Sequence, residues 1–269
     1  MFDAYLSRWN LAPDGAPIIT HAAQLLPVLH EGAPAMLKVS TEEDEKQGGV
    51  LMSWWDGQGA ARVLAHDSDA ILLERATGTR SLAHYARTGR DDEATRILCA
   101  VLKELHAPRD KPLPALRPLE EWFTELWPMA RARGGILAHS ARHARDLLDD
   151  PQDMTVLHGD VHHDNVLDFG ERGWLVIDPK RLQGERAFDY ANIFCNPDLS
   201  DPEPPVAIVP GRFERRLDII VARSGLDRRR LLRWIVAWCG LSAAWYMGDG
   251  DDAAIDLDIA SQAQALLDR

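Results

Sequence analysis

Between Met154 and Asp178 the chain is restricted to a small set of shapes. Met154–Leu157 is a short apolar run, and His158–Asn165 is a polar loop. Val166–Asp168 and Trp174–Ile177 are two further short runs, divided by Phe169-Gly170-Glu171-Arg172-Gly173. Short apolar segments on either side of a glycine-bearing turn read as paired strands. The expected local fold is therefore a strand into the core, a loop that turns outward, and a hairpin. That hairpin returns Asp178 to the side of Asn165.

The loop reads His158-Gly159-Asp160-Val161-His162-His163-Asp164-Asn165, which is H-x-D-x-x-x-x-N followed by a strand-end Asp. In phosphoryl transfer this order carries a base for an acceptor hydroxyl and then oxygen ligands for the Mg²⁺ that bridges nucleotide phosphates. Asp160 is the expected base, and Asn165 and Asp178 are the expected metal ligands. Mg²⁺ takes hard oxygen donors, usually one or two from protein with phosphates completing the shell. Zinc is the competing chemistry, because His158, Asp160, His162 and His163 are good ligands. However, the H-x-H-x-D-H and H-E-x-x-H orders of zinc hydrolases are absent. There is also no G-x-S-x-G and no G-x-x-x-x-G-K-[ST], so neither a serine nucleophile elbow nor a P-loop is expected.

The rest of the chain supplies what such a loop needs. Ala16–Gln24 and Ala33–Ser40 read as strands, separated by a Pro-interrupted stretch and a Glu31-Gly32 turn. A helix opens at Thr41-Glu42-Glu43 and stops at Asp56-Gly57. Ala61–His66 and Ala70–Glu74 read as two more strands. From Thr77 the spacing turns helical, with Ile97, Leu98, Val101, Leu102 and Leu105 on one face. Another helix holds Trp122, Phe123, Leu126 and Trp127, and helices near 211–224, 227–247 and 253–268 close the chain. The expected class is α+β, a small antiparallel sheet lobe (1–76) followed by a larger, mainly helical lobe (77–269). A cleft between two such lobes suits a nucleotide.

Ala35-Met36-Leu37-Lys38 fits the strand pattern that carries a phosphate-binding lysine. Such a lysine needs a carboxylate on the next helix, and Glu45 is the expected partner. Ile71–Ala76 followed by Gly78 reads as a hinge, with Glu74 and Ala76 at the positions that offer backbone groups to adenine.

Net charge is −12, which disfavours nucleic acid and favours cationic ligands. Arg228-Arg229-Arg230 reads as a solvated helix start. No run of eighteen apolar residues suggests a membrane span, and Met1–Trp9 lacks signal-peptide character. Cys99, Cys195 and Cys239 are odd in number and far apart, which suits a reducing, cytoplasmic setting.

H-G-D-x-H-x-x-N, together with Lys38 and Asp178, resembles the aminoglycoside phosphotransferase superfamily, which has His-Gly-Asp where protein kinases have His-Arg-Asp. Asp56–Leu64, Gly173–Pro179 and Cys239–Trp245 look like the branch of streptomycin 6-phosphotransferases and hydroxyurea-resistance kinases. The resemblance implies a two-lobe protein-kinase-like fold, with ATP and Mg²⁺ as cofactors. It implies that Asp160 is catalytic, that Asn165 and Asp178 bind metal, and that Lys38 and Glu45 position phosphates, with Glu74 and Ala76 at the adenine hinge. Asp189, in Ala187-Phe188-Asp189-Tyr190, matches a family Asp that supports the catalytic loop. The implied acceptor is a cationic aminocyclitol such as streptomycin. Trp245, Asp249, Asp251 and Asp252 are the candidate substrate residues, since carboxylates beside an aromatic plane suit guanidinium groups. Hydroxyurea or another small metabolite is the alternative acceptor, and a catalytically inactive binding protein is the alternative class. One segment departs from the family pattern: the nucleotide loop reads His21-Ala22-Ala23-Gln24, with Pro27 where a strand continues.

Overall fold

The computed structural model describes residues 2–20, 23–40 and 43–269, excluding the side chains of 43–47. Helix α1 (Asp3–Arg8) precedes strands β1 (Leu11–Pro13), β2 (Ile18–Ile19), β3 (Ala23–His30) and β4 (Ala33–Ser40). Helix α2 (Glu43–Trp55) and strands β5 (Val63–His66) and β6 (Ala70–Glu74) follow. The remaining elements are α3 (Leu82–Tyr85), α4 (Asp91–Leu105), β7 (Arg117–Pro118), α5 (Leu119–Trp122), α6 (Leu126–Arg133), α7 (Gly135–Asp149), β8 (Met154–Leu157), β9 (Val166–Asp168), β10 (Trp174–Val176), β11 (Leu182–Glu185), α8 (Phe188–Ala191), α9 (Arg212–Ser224), α10 (Arg228–Asp249) and α11 (Ala254–Leu267).

The first sheet is antiparallel in the order β1-β3-β4-β6-β5, with β2 also on β3. Side chains alternate faces along a strand. On β4, Ala35, Leu37 and Val39 are buried with Leu26, Val28, Ala70 and Leu72, under Tyr5 and Leu6 of α1. Met36 and Lys38 consequently face the opposite side, where they line a cleft. The same alternation on β6 sends Ile71 and Leu73 into that cleft.

The expected break around Pro27 does not occur, because β3 runs through it, paired with Met36. On its outer side β3 meets two short strands, β2 at Gln24–Leu25 and β1 at Val28–His30, and Pro27 falls between them. A missing N–H is harmless at such a gap, and the Pro27 carbonyl accepts from Asp14 N–H at 2.8 Å. The strand expected over Ala16–Gln24 is accordingly only β2 and the start of β3.

The helical body centres on α10. Its stretch from Leu231 to Ala244 is buried apart from Arg233, the pattern of a helix enclosed on all sides. It packs on α7, α11 and α8. The single helix expected around Trp122–Trp127 is two helices, α5 and α6, with Phe123–Glu125 turning between them. A small sheet, β7-β11-β8, and the antiparallel β9–β10 hairpin lie beside these helices.

Helix α2 is tied to this body. Leu51, Met52 and Trp55, with Ala60 and Ala61 just beyond, share one apolar cluster with Val161, Val176 and Leu182. The segment after α2 pairs in parallel with β10, through Ala61 N–H to the Val176 carbonyl at 3.0 Å and Val176 N–H to the Gly59 carbonyl at 3.1 Å. Among the described residues, no helix is long and apolar enough to cross a membrane.

Candidate active site

The loop between β8 and β9 is held from beneath by one carboxylate. Asp189, in α8, accepts from His158 N–H at 2.9 Å, from Gly159 N–H at 2.7 Å and from His106 Nε2 at 2.8 Å. It is completely buried, so these three donors set where the loop sits. Gly159 adopts φ +86°, and a Cβ there would come within 2.8 Å of Leu182 Cδ1. Only glycine meets both conditions without cost.

His158 connects the two halves of the site. Its Nε2–H donates to the Ile177 carbonyl at 2.8 Å, which leaves Nδ1 to accept from Asp160 N–H at 3.2 Å. Trp55 stacks on the ring at 6.0 Å between centroids. Burial holds the imidazole pKa below its ordinary value, and the neutral ring is the form that can donate at one nitrogen and accept at the other. The single side chain thus links the loop that carries Asp160 to the backbone beside Asp178.

Asp160 is anchored by two amides. Asn192 Nδ2 donates to Oδ1 at 2.8 Å, and Asn165 Nδ2 donates to Oδ2 at 3.2 Å and to the backbone carbonyl at 2.9 Å. His162 Nε2 lies 3.9 Å from Oδ1. A third of the carboxylate surface stays open. The hairpin closes as its sequence suggests, with Ile177 N–H donating to the Asn165 carbonyl at 3.0 Å. Asp178 follows in a left-handed conformation, φ +65°. Its carboxylate forms an ion pair with Lys38, and Lys180 Nζ stands 3.8 Å away. Asn165 directs its amide nitrogen at Asp160, so its amide oxygen takes no part in those bonds. The Ile177–Asn165 bond brings the two segments together, and an amide and a carboxylate are the hard oxygen donor types that Mg²⁺ takes.

A cleft of about 410 Å³ lies between β4, β6 and the β9–β10 hairpin. Met36 and Leu73 line it from the sheet and Leu167 and Phe169 from the hairpin, with Lys38 and Asp178 providing charge. Glu74 and Ala76 also line it. The Glu74 carboxylate is engaged elsewhere: it accepts from Arg62 N–H at 2.6 Å and pairs with Arg172, whose Nη2 also donates to the Gly57 carbonyl at 2.6 Å. The Glu74 side chain is therefore already committed. Just beyond it, Gly78 N–H donates to the Asp168 carbonyl at 2.9 Å, and Arg80 grips the Asp168 carboxylate at 2.6 and 2.8 Å. The hinge is thereby fastened to the hairpin that carries Asn165 and Asp178.

Glu45 lies among the side chains outside the described residues, as do His21 and Ala22. Trp245 is partly buried and packs edge-on against Trp122 at 5.6 Å. Asp249 and Asp251 are exposed at the end of α10, and Asp252 accepts from Ala254 N–H at 3.0 Å at the start of α11. Burial raises the Tyr246 pKa first, and the charges of Asp256 and Asp160 add to the effect. Tyr246, near the C-terminal end of α10, is therefore within electrostatic reach of Asp160. Three residues of the site were not anticipated from sequence: Asn192, His106 and Trp55. Asn192 alone had a local signal, since it stands three positions after Asp189, one helical turn on.

An antiparallel sheet over a helical body, with a nucleotide-sized cleft and an Asp/Asn/Asp constellation at its inner end, defines a kinase-like phosphotransferase. A thermostable mutant of aminoglycoside phosphotransferase APH(4)-Ia, solved with AMP-PNP and hygromycin B, superposes at a TM-score of 0.66 with 14% identity, covering 98% of this chain and 94% of that one. The chain belongs to the aminoglycoside/hydroxyurea antibiotic resistance kinase family, which it matches over residues 8–250. It is 56% identical to a streptomycin 3''-kinase of Klebsiella pneumoniae over 267 residues, covering 98% of this chain and 100% of the relative. It is 32% identical to a streptomycin 6-kinase of Streptomyces glaucescens, covering 99% of this chain and 88% of the relative. The chain is an ATP-using small-molecule kinase of the aminoglycoside phosphotransferase kind.

Proposed function

We propose that this enzyme transfers the γ-phosphate of ATP to the 3''-hydroxyl of streptomycin. The observation that carries the proposal is the 56% identity, over essentially both whole chains, to a streptomycin 3''-kinase. The relative that acts at position 6 shares 32%. Three buried free thiols and the need for ATP suit action in the cytoplasm.

Adenine occupies the apolar slot between Leu73 and Phe169 and takes its hydrogen bonds from hinge backbone at Glu74 and Ala76. Lys38 exchanges its pairing with Asp178 for the nucleotide phosphates. Asn165 and Asp178 would hold Mg²⁺, which would supply charge neutralisation at the nucleotide phosphates. Asp160, held at Oδ1 by Asn192 and at Oδ2 by Asn165, orients the acceptor hydroxyl and receives its proton. The acceptor oxygen forms a bond to Pγ as the bond from Pγ to the β,γ-bridging oxygen breaks. Most of the rate then comes from positioning and charge neutralisation. Trp245, Asp249, Asp251 and Asp252 form the acidic, aromatic side from which a guanidinium-bearing acceptor approaches.

The test is incubation with ATP, Mg²⁺ and streptomycin, followed by mass spectrometry and phosphorus NMR of the product. One phosphate on the 3''-oxygen is expected, with Asp160→Asn and Asp178→Ala both inactive. Phosphate at position 6 would overturn the regiochemistry. Phosphorylation of hydroxyurea, with streptomycin untouched, would overturn the substrate.

A further inference from the structure

On the far side of Asn192 from the catalytic loop, donors from three elements meet. Cys195 follows the helical turn Asn192–Phe194, Cys239 lies in mid α10, and Asp256 lies in the first turn of α11. Their ligand atoms all lie within 4.8 Å of one another, and the two sulfurs are 3.5 Å apart. All three side chains are buried. Asp256 has no exposed surface, and neither carboxylate oxygen meets strict hydrogen-bond geometry among the described residues, its polar neighbours being the Cys195 thiol and the Ser242 hydroxyl. Buried polar groups are nearly always satisfied, and one that is not needs an explanation.

A disulfide between Cys195 and Cys239 would explain the sulfur pair but leave the buried Asp256 carboxylate with Ser242 alone. A cation explains all three donors together. We propose that Cys195, Cys239 and Asp256 form a structural binding site for a thiophilic divalent cation of the zinc type. Tetrahedral zinc, with Zn–S of about 2.3 Å and Zn–O of about 2.0–2.2 Å, places two sulfurs about 3.8 Å apart and a sulfur and an oxygen about 3.5 Å apart. The observed sulfur pair needs to open by only a few tenths of an ångström. Ser242, buried three residues along α10 from Cys239, or a water is available for the fourth position.

Without a cation, burial raises the pKa of all three groups, that of Asp256 to about 7, and so favours their protons. Cation binding displaces these protons to solvent, with no change of oxidation state. The site also reaches the base. Asn196, next to Cys195, donates to Asn192 Oδ1 at 2.7 Å and to its carbonyl at 3.1 Å. Asn192 in turn holds Asp160. Pinning Cys195 to α10 and α11 therefore fixes the amide that orients the base.

The probes are zinc chloride and cobalt chloride, supplied to the full chain during reductive refolding. Activity is not the readout, because the reaction itself needs Mg²⁺. After desalting, about one zinc per chain is expected by elemental mass spectrometry, following the three-donor site. Cobalt should give near-ultraviolet thiolate charge-transfer absorption. Cys195→Ser and Cys239→Ser should abolish that absorption, Asp256→Asn should weaken it, and Cys99→Ser should leave it unchanged. If the serine variants fail to fold, the wild-type cobalt spectrum still decides the matter. Folded wild type with neither zinc nor the cobalt band would overturn the proposal. So would a chain lighter by two hydrogens, with Cys195 and Cys239 joined as a disulfide.

Discussion

Replacing Asp189 by Asn tests how the catalytic loop is held. The buried carboxylate accepts three donors, His158 N–H and His106 Nε2 at Oδ2 and Gly159 N–H at Oδ1. An asparagine oxygen at the Oδ2 position keeps two of them as weaker neutral bonds. Its amide nitrogen then faces Gly159 N–H, donor against donor. Leaving one buried donor unsatisfied costs about 1–3 kcal/mol, so the change is expected to destabilise the protein by about 2 kcal/mol. For a chain of this size that lowers the melting temperature by roughly 4–8 °C. Asp189→Ala orphans all three donors and should cost at least twice as much. Because Gly159 precedes Asp160, kcat should fall further than the apparent affinity for ATP. A displacement of about 1 Å at a base can cost about a hundredfold in rate. The assays are thermal unfolding and steady-state kinetics on both variants. Two variants of equal stability, or Asp189→Asn melting with the wild type at full kcat, would refute the reasoning.

Three further outcomes are expected. Burial depresses the pKa of His158, and that of His163 well below the ordinary 6.5. The unfolded chain therefore gains protons below pH 6.5 that the folded chain does not. Stability should be complete above pH 6.5 and fall as pH drops below it, and equal urea midpoints at pH 7.5 and 5.5 would contradict this. Arg172→Ala removes the link between the Glu74 carboxylate and the Gly57 carbonyl; KM for ATP should rise severalfold while the product regiochemistry stays constant, and an unchanged KM would remove the hinge from the argument. Neutralising Asp249, Asp251 and Asp252 together should raise KM for streptomycin and flatten its salt dependence, since screening acts over about 8 Å at physiological ionic strength. KM for ATP should not move, and a parallel rise in both constants would count against an acceptor role.

What could be read from the chain followed the reach of each signal. Ala35-Met36-Leu37-Lys38 is legible as a strand pattern that ends in lysine, and the period-two alternation of Ala35, Leu37 and Val39 with Met36 and Lys38 explains why Lys38 faces the cleft. The β9–β10 hairpin was legible because its turn residues are adjacent to its strands. Pro27 was misread because its tolerance depends on a gap between β1 and β2, a property of the partners rather than of Pro27. Helix α7 has no counterpart among the expected elements, although Leu137, Ser140, Ala144 and Leu147 occupy its buried face at helical spacing. His106 and Trp55 were invisible for a different reason. Each reaches the loop from more than fifty positions away, and nothing local distinguishes them from core residues until α4 and α2 are docked. The engagement of the Glu74 carboxylate by Arg172 likewise exists only once hinge and hairpin are in contact.

The pairing of Ala60 with Val176, and the stacking of Trp55 on His158, change what opening of the cleft can mean. Two lobes that turned as rigid bodies about the hinge would have to shear an interior that is continuous from Leu73 through Met52 and Trp55 to Val176. That interior is close-packed and resists gradual deformation. The outer strands are bound differently, since β1 and the outward face of β3 rest on α1 in a separate cluster. Compliance is therefore concentrated in a thin roof, with α2 belonging to the floor. A roof that lifted to admit nucleotide would leave Asp160, its amide anchors Asn192 and Asn165, and Asp178 in place.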